Sequence, residues 1–269
     1  MFALAALSLT VLPFVSADTA LDLAGIKAHF TQSKIVPDLF ESFNPEAVLT
    51  VNFPGVGDIT PGQTLTQAEA GGYPSIKVTA ANSSVDLGST FTVAMVDASY
   101  VGQDDDDVTR HWLMNGCTLS DGTISNSSAT SITEYGGPAP PEGEPAHRYV
   151  IAVYQQPDSF SAPEGFNQAN MGISTFDFED YLTNSKLGAL VGATYMTVQT
   201  GEATTSVEAT SSVDSQTLSA ASQTGSSSSG ASATTGASGS SSSGAPDGAS
   251  ALTASSAAVA LGFLGFLFA

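Results

Sequence analysis

Positive charge is nearly missing from this chain: 6 Lys and Arg stand against 26 Asp and Glu, for a formal charge of −20 at pH 7 and a pI near 4.1. Such a polyanion is repelled by nucleic-acid phosphates and anionic membrane surfaces, so neither is expected as an electrostatic partner. Cysteine is reduced to one, Cys117. That excludes an intramolecular disulfide and leaves Cys117 as a small buried hydrophobe. No Gly-x-Ser-x-Gly elbow is present, and the acidic run Asp104 to Asp107 lacks the alternating acids and glycine of an EF-hand, so it reads as a solvated loop.

No apolar run reaches the roughly 20 residues that cross a hydrocarbon core. Two shorter ones mark the ends. Residues 1–17 close on Val15-Ser16-Ala17, a small-x-small site, and read as a signal peptide, although no Lys or Arg precedes them. Residues 257–269 are wholly apolar and follow small residues and a short polar spacer, the pattern of a glycosylphosphatidylinositol (GPI) attachment signal with Gly244 or Asp247 as the modified residue. Residues 202–247 are almost entirely Ser, Thr, Ala and Gly. They cannot bury enough apolar surface to offset their ordering entropy and read as a disordered, O-glycosylated stalk before the 248–269 propeptide. The expected protein is secreted and held at the cell surface or wall, touching membrane only through its anchor. Two sequons, at Asn82 and Asn126, are expected on surface loops as glycosylation sites.

One domain remains, residues 18–201, long enough for a substantial core and expected to be monomeric. Apolar residues at helical spacing predict a helix over 21–31. VLTVNF (48–53) and IKVTA (76–80) alternate as half-buried strands, whereas FTVAMVD (91–97) and RYVIAVYQQ (148–156) are near-continuous apolar runs, as in strands buried on both faces. Ser174 and Asp177 have capping-box spacing and predict a helix over 176–184, and a last strand covers 189–199. Many strands, few helices and frequent turns predict a mainly β protein, a β-sandwich with short peripheral helices.

Polar groups bound the apolar strands: Asp97 ends one, His111 opens another, and the Pro/Gly-rich stretch from Tyr135 delivers His147 to a sheet end. Alternation puts His147, Tyr149, Ile151 and Val153 on one strand face and Arg148, Val150, Ala152 and Tyr154 on the other. From periodicity alone, these groups read equally as structural hydrogen-bond pairs or as the lining of a pocket mouth.

FTVAMVDAS, RHWLMN and Tyr135-Gly136-Gly137-Pro138-Ala139-Pro140-Pro141-Glu142-Gly143 followed by His147-Arg148-Tyr149-Val150 resemble the two signature regions of the phosphatidylethanolamine-binding family. The likeness extends over nearly all of residues 21–200. It implies a β-sandwich whose small anion pocket, for phosphate-like groups or phospholipid head groups, is lined here by Asp97, His111, Pro141, His147 and Tyr149. The first region departs from the family pattern: Ala98, Ser99 and Val101 stand where two Pro and a second Asp belong, so a reshaped rim is expected. With imidazoles of ordinary pKa about 6.5, anion binding is expected to strengthen as pH falls from about 7 toward 5.

The expected function is therefore non-catalytic binding of a small anion, without cofactor or metal. A Ser/His/Asp hydrolase is disfavoured because neither histidine has an assigned nucleophile. Zinc is disfavoured because His111 and Cys117 have no third or fourth ligand at metal spacing. The family also includes inhibitors of kinases and of serine carboxypeptidases. A signal peptide excludes a cytosolic kinase but leaves an extracellular or vacuolar serine carboxypeptidase as an alternative partner. A structural cell-wall protein is the remaining alternative. His29 reads as an ordinary surface residue.

Overall fold

A computed structural model describes residues 17–103 and 108–207, together with 210 and 213. The signal segment before Ala17, the Asp104 to Asp107 run, nearly all of the stalk, and Gly244 and Asp247 lie outside the described residues. Among those described, no helix is long and apolar enough to cross a membrane.

The chain opens with α1 (Ala17–Gln32), which starts four residues before the expected 21–31, and a short α2 (Ile35–Asp38). Strands β1 (Ala47–Phe53), β2 (Gly57–Asp58), β3 (Gln63–Leu65), β4 (Ser75–Ala80) and β5 (Phe91–Asp97) follow. Next come β6 (Val108–Ser120), β7 (Thr123–Ser125), β8 (Thr130–Thr133), β9 (His147–Gln155), β10 (Ser174–Phe176), α3 (Phe178–Ser185) and β11 (Leu190–Val198). The strands form one curled sheet in the order β2-β1-β4-β7-β6-β5-β9-β11-β3, with β8 and β10 added to β6. This is the mainly β architecture with small helices that the pattern predicts.

The curl lays β1 and β4 over one face of β5, β6, β9 and β11. Between them lies a core that includes Leu49, Val51, Phe53, Ile76, Val78, Val93, Trp112, Ile151, Val153 and Val198. The opposite face of β5, β9 and β11 carries Ala94, Val96, Val150, Ala152 and Tyr195, packed with Ile26 and Phe30 of α1, Phe40, Phe43, and Phe178 and Tyr181 of α3. A helix-covered outer face explains the sequence pattern. β1 alternates buried and half-buried positions, whereas the first eight residues of β9 are all buried.

The capping-box reading fails. Ser174–Phe176 is a strand paired with Thr109 and its neighbours on β6, and the helix begins at Phe178, two residues later than expected. Its N-cap is Asp177, whose side chain accepts the Asp180 N–H at 2.8 Å. Sheet pairing captured the residues that local spacing assigned to a cap.

Candidate functional site

Three strand ends converge. β5 and β9 run antiparallel with Asp97 directly opposite Tyr149, so the last residue of one strand meets the opening His147-Arg148-Tyr149 of the other. On β6 the register against β5 slips between Met95, which pairs with Trp112, and Val96, which pairs with Arg110. His111 is thus the extra residue of a β-bulge, a device that re-aims a side chain.

Tyr149 stands between the two imidazoles. Its ring lies 5.2 Å from that of His111, edge-on, and 6.4 Å from that of His147, nearly parallel. Tyr100 packs on His147 with centroids 5.7 Å apart. The structure therefore brings Asp97, His111, His147 and Tyr149 together. Both histidines are buried, at 5% and 6% exposure.

Pro141 is exposed on the 134–146 loop, while Pro138, Pro140 and Pro145 are buried. That loop is seated by close contact. Gly137 lies against the Ala70–Gly71 backbone, where a Cβ would come 2.9 Å from the Gly71 Cα, and the Tyr135 hydroxyl donates to the Ala70 carbonyl. The Gly136 N–H donates to the His111 carbonyl at 2.9 Å.

The two histidines differ in state. His147 Nδ1 faces both Asp97 oxygens at 3.0 and 3.1 Å, and Nε2 lies 2.7 Å from Glu144 Oε2. Ionised carboxylates only accept, so both ring nitrogens donate and the ring is an imidazolium. Burial works against that charge, but Asp97 and Glu144 outweigh it and hold the His147 pKa above its ordinary value. His111 Nδ1 donates to the Gly136 carbonyl at 3.1 Å. Burial dominates there and lowers its pKa, so this ring is neutral. The pair thus supplies one charged donor, not two. The Tyr149 hydroxyl is buried near Asp97 without a hydrogen bond of good geometry, and burial raises its pKa.

The altered Ala98-Ser99 segment still holds Asp97. Asp97 Oδ1 accepts the Ser99 N–H at 2.8 Å, and Ser99 takes a left-handed φ of 54°. Arg148 anchors this turn: its guanidinium donates to the carbonyls of Ala98, Ser99 and Tyr100, while its own N–H donates to the Ser99 carbonyl at 2.9 Å.

Glu144 and Tyr100 were not singled out in the sequence. An acid three residues before a histidine was the available signal for Glu144. Among the described residues, no group of three or more His, Cys, Asp and Glu is placed to hold a metal. Cys117 is fully buried in the core and its thiol is pushed up to about 12. His29 is half-buried rather than superficial, at a cavity of about 410 Å³ between α1 and β1, and burial lowers its pKa. Asn82 and Asn126 lie in loops; Asn126 is exposed and its amide donates to the Tyr73 hydroxyl at 3.1 Å.

The family model for phosphatidylethanolamine-binding proteins matches residues 56–196, more than half of the chain, and that span includes every site residue above. The chain belongs to the phosphatidylethanolamine-binding protein family. It is 25% identical over 169 residues to CEN-like protein 1 of Nicotiana tabacum, covering 62% of this chain and 89% of the relative. It is 27% identical over 179 residues to the carboxypeptidase Y inhibitor of Saccharomyces cerevisiae, covering 55% of this chain and 81% of that one. A carboxypeptidase Y inhibitor crystallised with its cognate proteinase superposes with a TM-score of 0.54 at 21% identity, covering 66% of this chain and 95% of that one. The last likeness shows the fold of the phosphatidylethanolamine-binding family.

Proposed function

We propose that this domain is a non-catalytic binding module whose site at the ends of β5, β6 and β9 takes a small anionic group, phosphate-like or head-group-like. One observation carries the reading. A buried imidazolium, His147, is held by Asp97 and faces Tyr149, with neutral His111 on the far side of that ring. Charge-assisted donation from such a group to an oxyanion is strong where water is excluded. Catalysis is disfavoured because, among the described residues, neither histidine ring is hydrogen-bonded to a Ser, Thr or Cys side chain that could act as a nucleophile.

Calorimetric titration of the full chain with phosphate and phosphoethanolamine tests this. Binding lost in a folded His147→Ala variant supports it; binding unchanged in that variant rejects it.

The kinship with a carboxypeptidase Y inhibitor supports a second reading, inhibition of an extracellular or vacuolar serine carboxypeptidase. Stoichiometric loss of carboxypeptidase activity on mixing would establish it, and a structural wall protein would show neither behaviour. The terminal signals support a secreted domain displayed on a GPI-anchored stalk. Release from intact cells by a phosphatidylinositol-specific phospholipase would test that placement.

A further inference from the structure

We infer that Glu144 is a built-in ligand: its carboxylate occupies the anion position at His147 Nε2, and an external anion binds by replacing it. The inference rests on the anion-acceptor reading above and adds what holds the site when no ligand is bound.

The contact is made for exchange. At 2.7 Å it is the shortest of the His147 hydrogen bonds, yet the Glu144 side chain is 41% exposed while that of Asp97 is 11% exposed. Asp97 is therefore the fixed partner and Glu144 the one with solvent to move into.

The backbone on either side is pinned. The Gly143 N–H donates to the Thr200 carbonyl at 3.2 Å, and its own carbonyl accepts the N–H and hydroxyl of Thr204 at 2.8 and 2.9 Å. Pro145 is buried. Displacement thus needs only rotation of one side chain, with the loop in place.

Charge gives the class of occupant. With Glu144 seated, one imidazolium lies between two carboxylates, and His111 contributes no charge. A monoanion replacing Glu144 exchanges charge for charge. Because the resident group is itself a carboxylate, the position accepts carboxylates as well as phosphates.

A competitor seated nine-tenths of the time weakens apparent affinity about tenfold. Titration of inorganic phosphate into the full-length wild type, Glu144→Gln and Glu144→Ala should show binding about tenfold tighter in both variants. Glu144→Gln keeps the side-chain volume and decides the matter if Glu144→Ala fails to fold. In Glu144→Ala, acetate should compete with phosphate by filling the vacated position, and failure to compete overturns the carboxylate claim. Equal phosphate affinity in all three proteins overturns the built-in ligand while leaving the anion site standing. Absence of phosphate binding from all three overturns both.

Discussion

Arg148 Nη1 donates to Asp38 Oδ2 at 2.8 Å, joining the second residue of β9 to the end of α2 across 110 positions of chain. The same nitrogen donates to the Ser33 carbonyl at 2.8 Å, and the rest of the guanidinium holds the turn that carries Asp97. Arg148 is 2% exposed, so its charge is compensated almost wholly from within the protein. Arg148→Ala should cost about 3 kcal/mol, the scale of a broken buried charge network. Arg148→Lys should recover only part of it, because an ammonium has three donors for five acceptor groups. Urea unfolding of both variants measures this; a loss confined to a few tenths of a kcal/mol would contradict it.

The two site histidines should tilt stability in opposite directions with pH. The His147 pKa is raised from 6.5, so its contribution is complete below 6.5 and is lost as pH rises through the folded value. The His111 pKa is lowered from 6.5, so its contribution is complete above 6.5 and is lost as pH falls through the folded value. The groups facing His147 are Asp97, Glu144 and His111, with the rings of Tyr100 and Tyr149. Urea midpoints between pH 5 and 9 should show that His147→Gln removes part of the alkaline decline and His111→Gln part of the acid decline. Wild-type-minus-variant differences that are flat with pH would reject both assignments.

Anion affinity follows from the same shift. Because His147 stays charged above its usual range, phosphate binding should decline above pH 6.5, not across the 7-to-5 window that unperturbed imidazoles imply. Removing a paired carboxylate should reverse the shift, so Asp97→Asn should lower the His147 pKa. Titration followed by imidazole proton resonances reads both effects directly.

Cys117 should be chemically silent in the folded protein. Its thiol is fully buried and pushed up to about 12, so the reactive thiolate is scarce at pH 8. Ellman's reagent should modify it only after denaturant is added. Rapid labelling of the native chain would contradict its place in the core.

Gly137→Ala should unseat the loop that carries Glu144. The added methyl would meet backbone at 2.9 Å, a contact no side-chain rotation relieves. A loss of about 1–3 kcal/mol is expected from this overpacking. Differential scanning calorimetry checks it, and an unchanged transition would mean the loop lies elsewhere.

Much of this site was legible in sequence because strand ends are. The apolar runs ending at Asp97 and beginning after His147 announce strands buried on both faces, and buried polar residues at such ends need partners. Other features depend on contacts distant in sequence. The bulge at His111 arises only from pairing β6 against β5, and alternation within β6 does not reveal it. Glu144 reaches His147 because Gly137 and Tyr135 press the loop onto the Ala70–Gly71 turn, some 65 residues away. Ser174 fails as a cap for the same reason: its backbone belongs to a sheet edge that local spacing cannot foresee.

Strand β6, thirteen residues long, hydrogen-bonds with β5, β7, β8 and β10 and so belongs to both layers of the curled sheet. Neither layer can peel away without breaking it. Its central amides, around Leu113 and Met114, should therefore exchange with deuterium only when the whole domain opens, at one shared rate set by global stability. Because His111 lies on that strand, the proposed anion site and the segment expected to unfold last share one piece of chain.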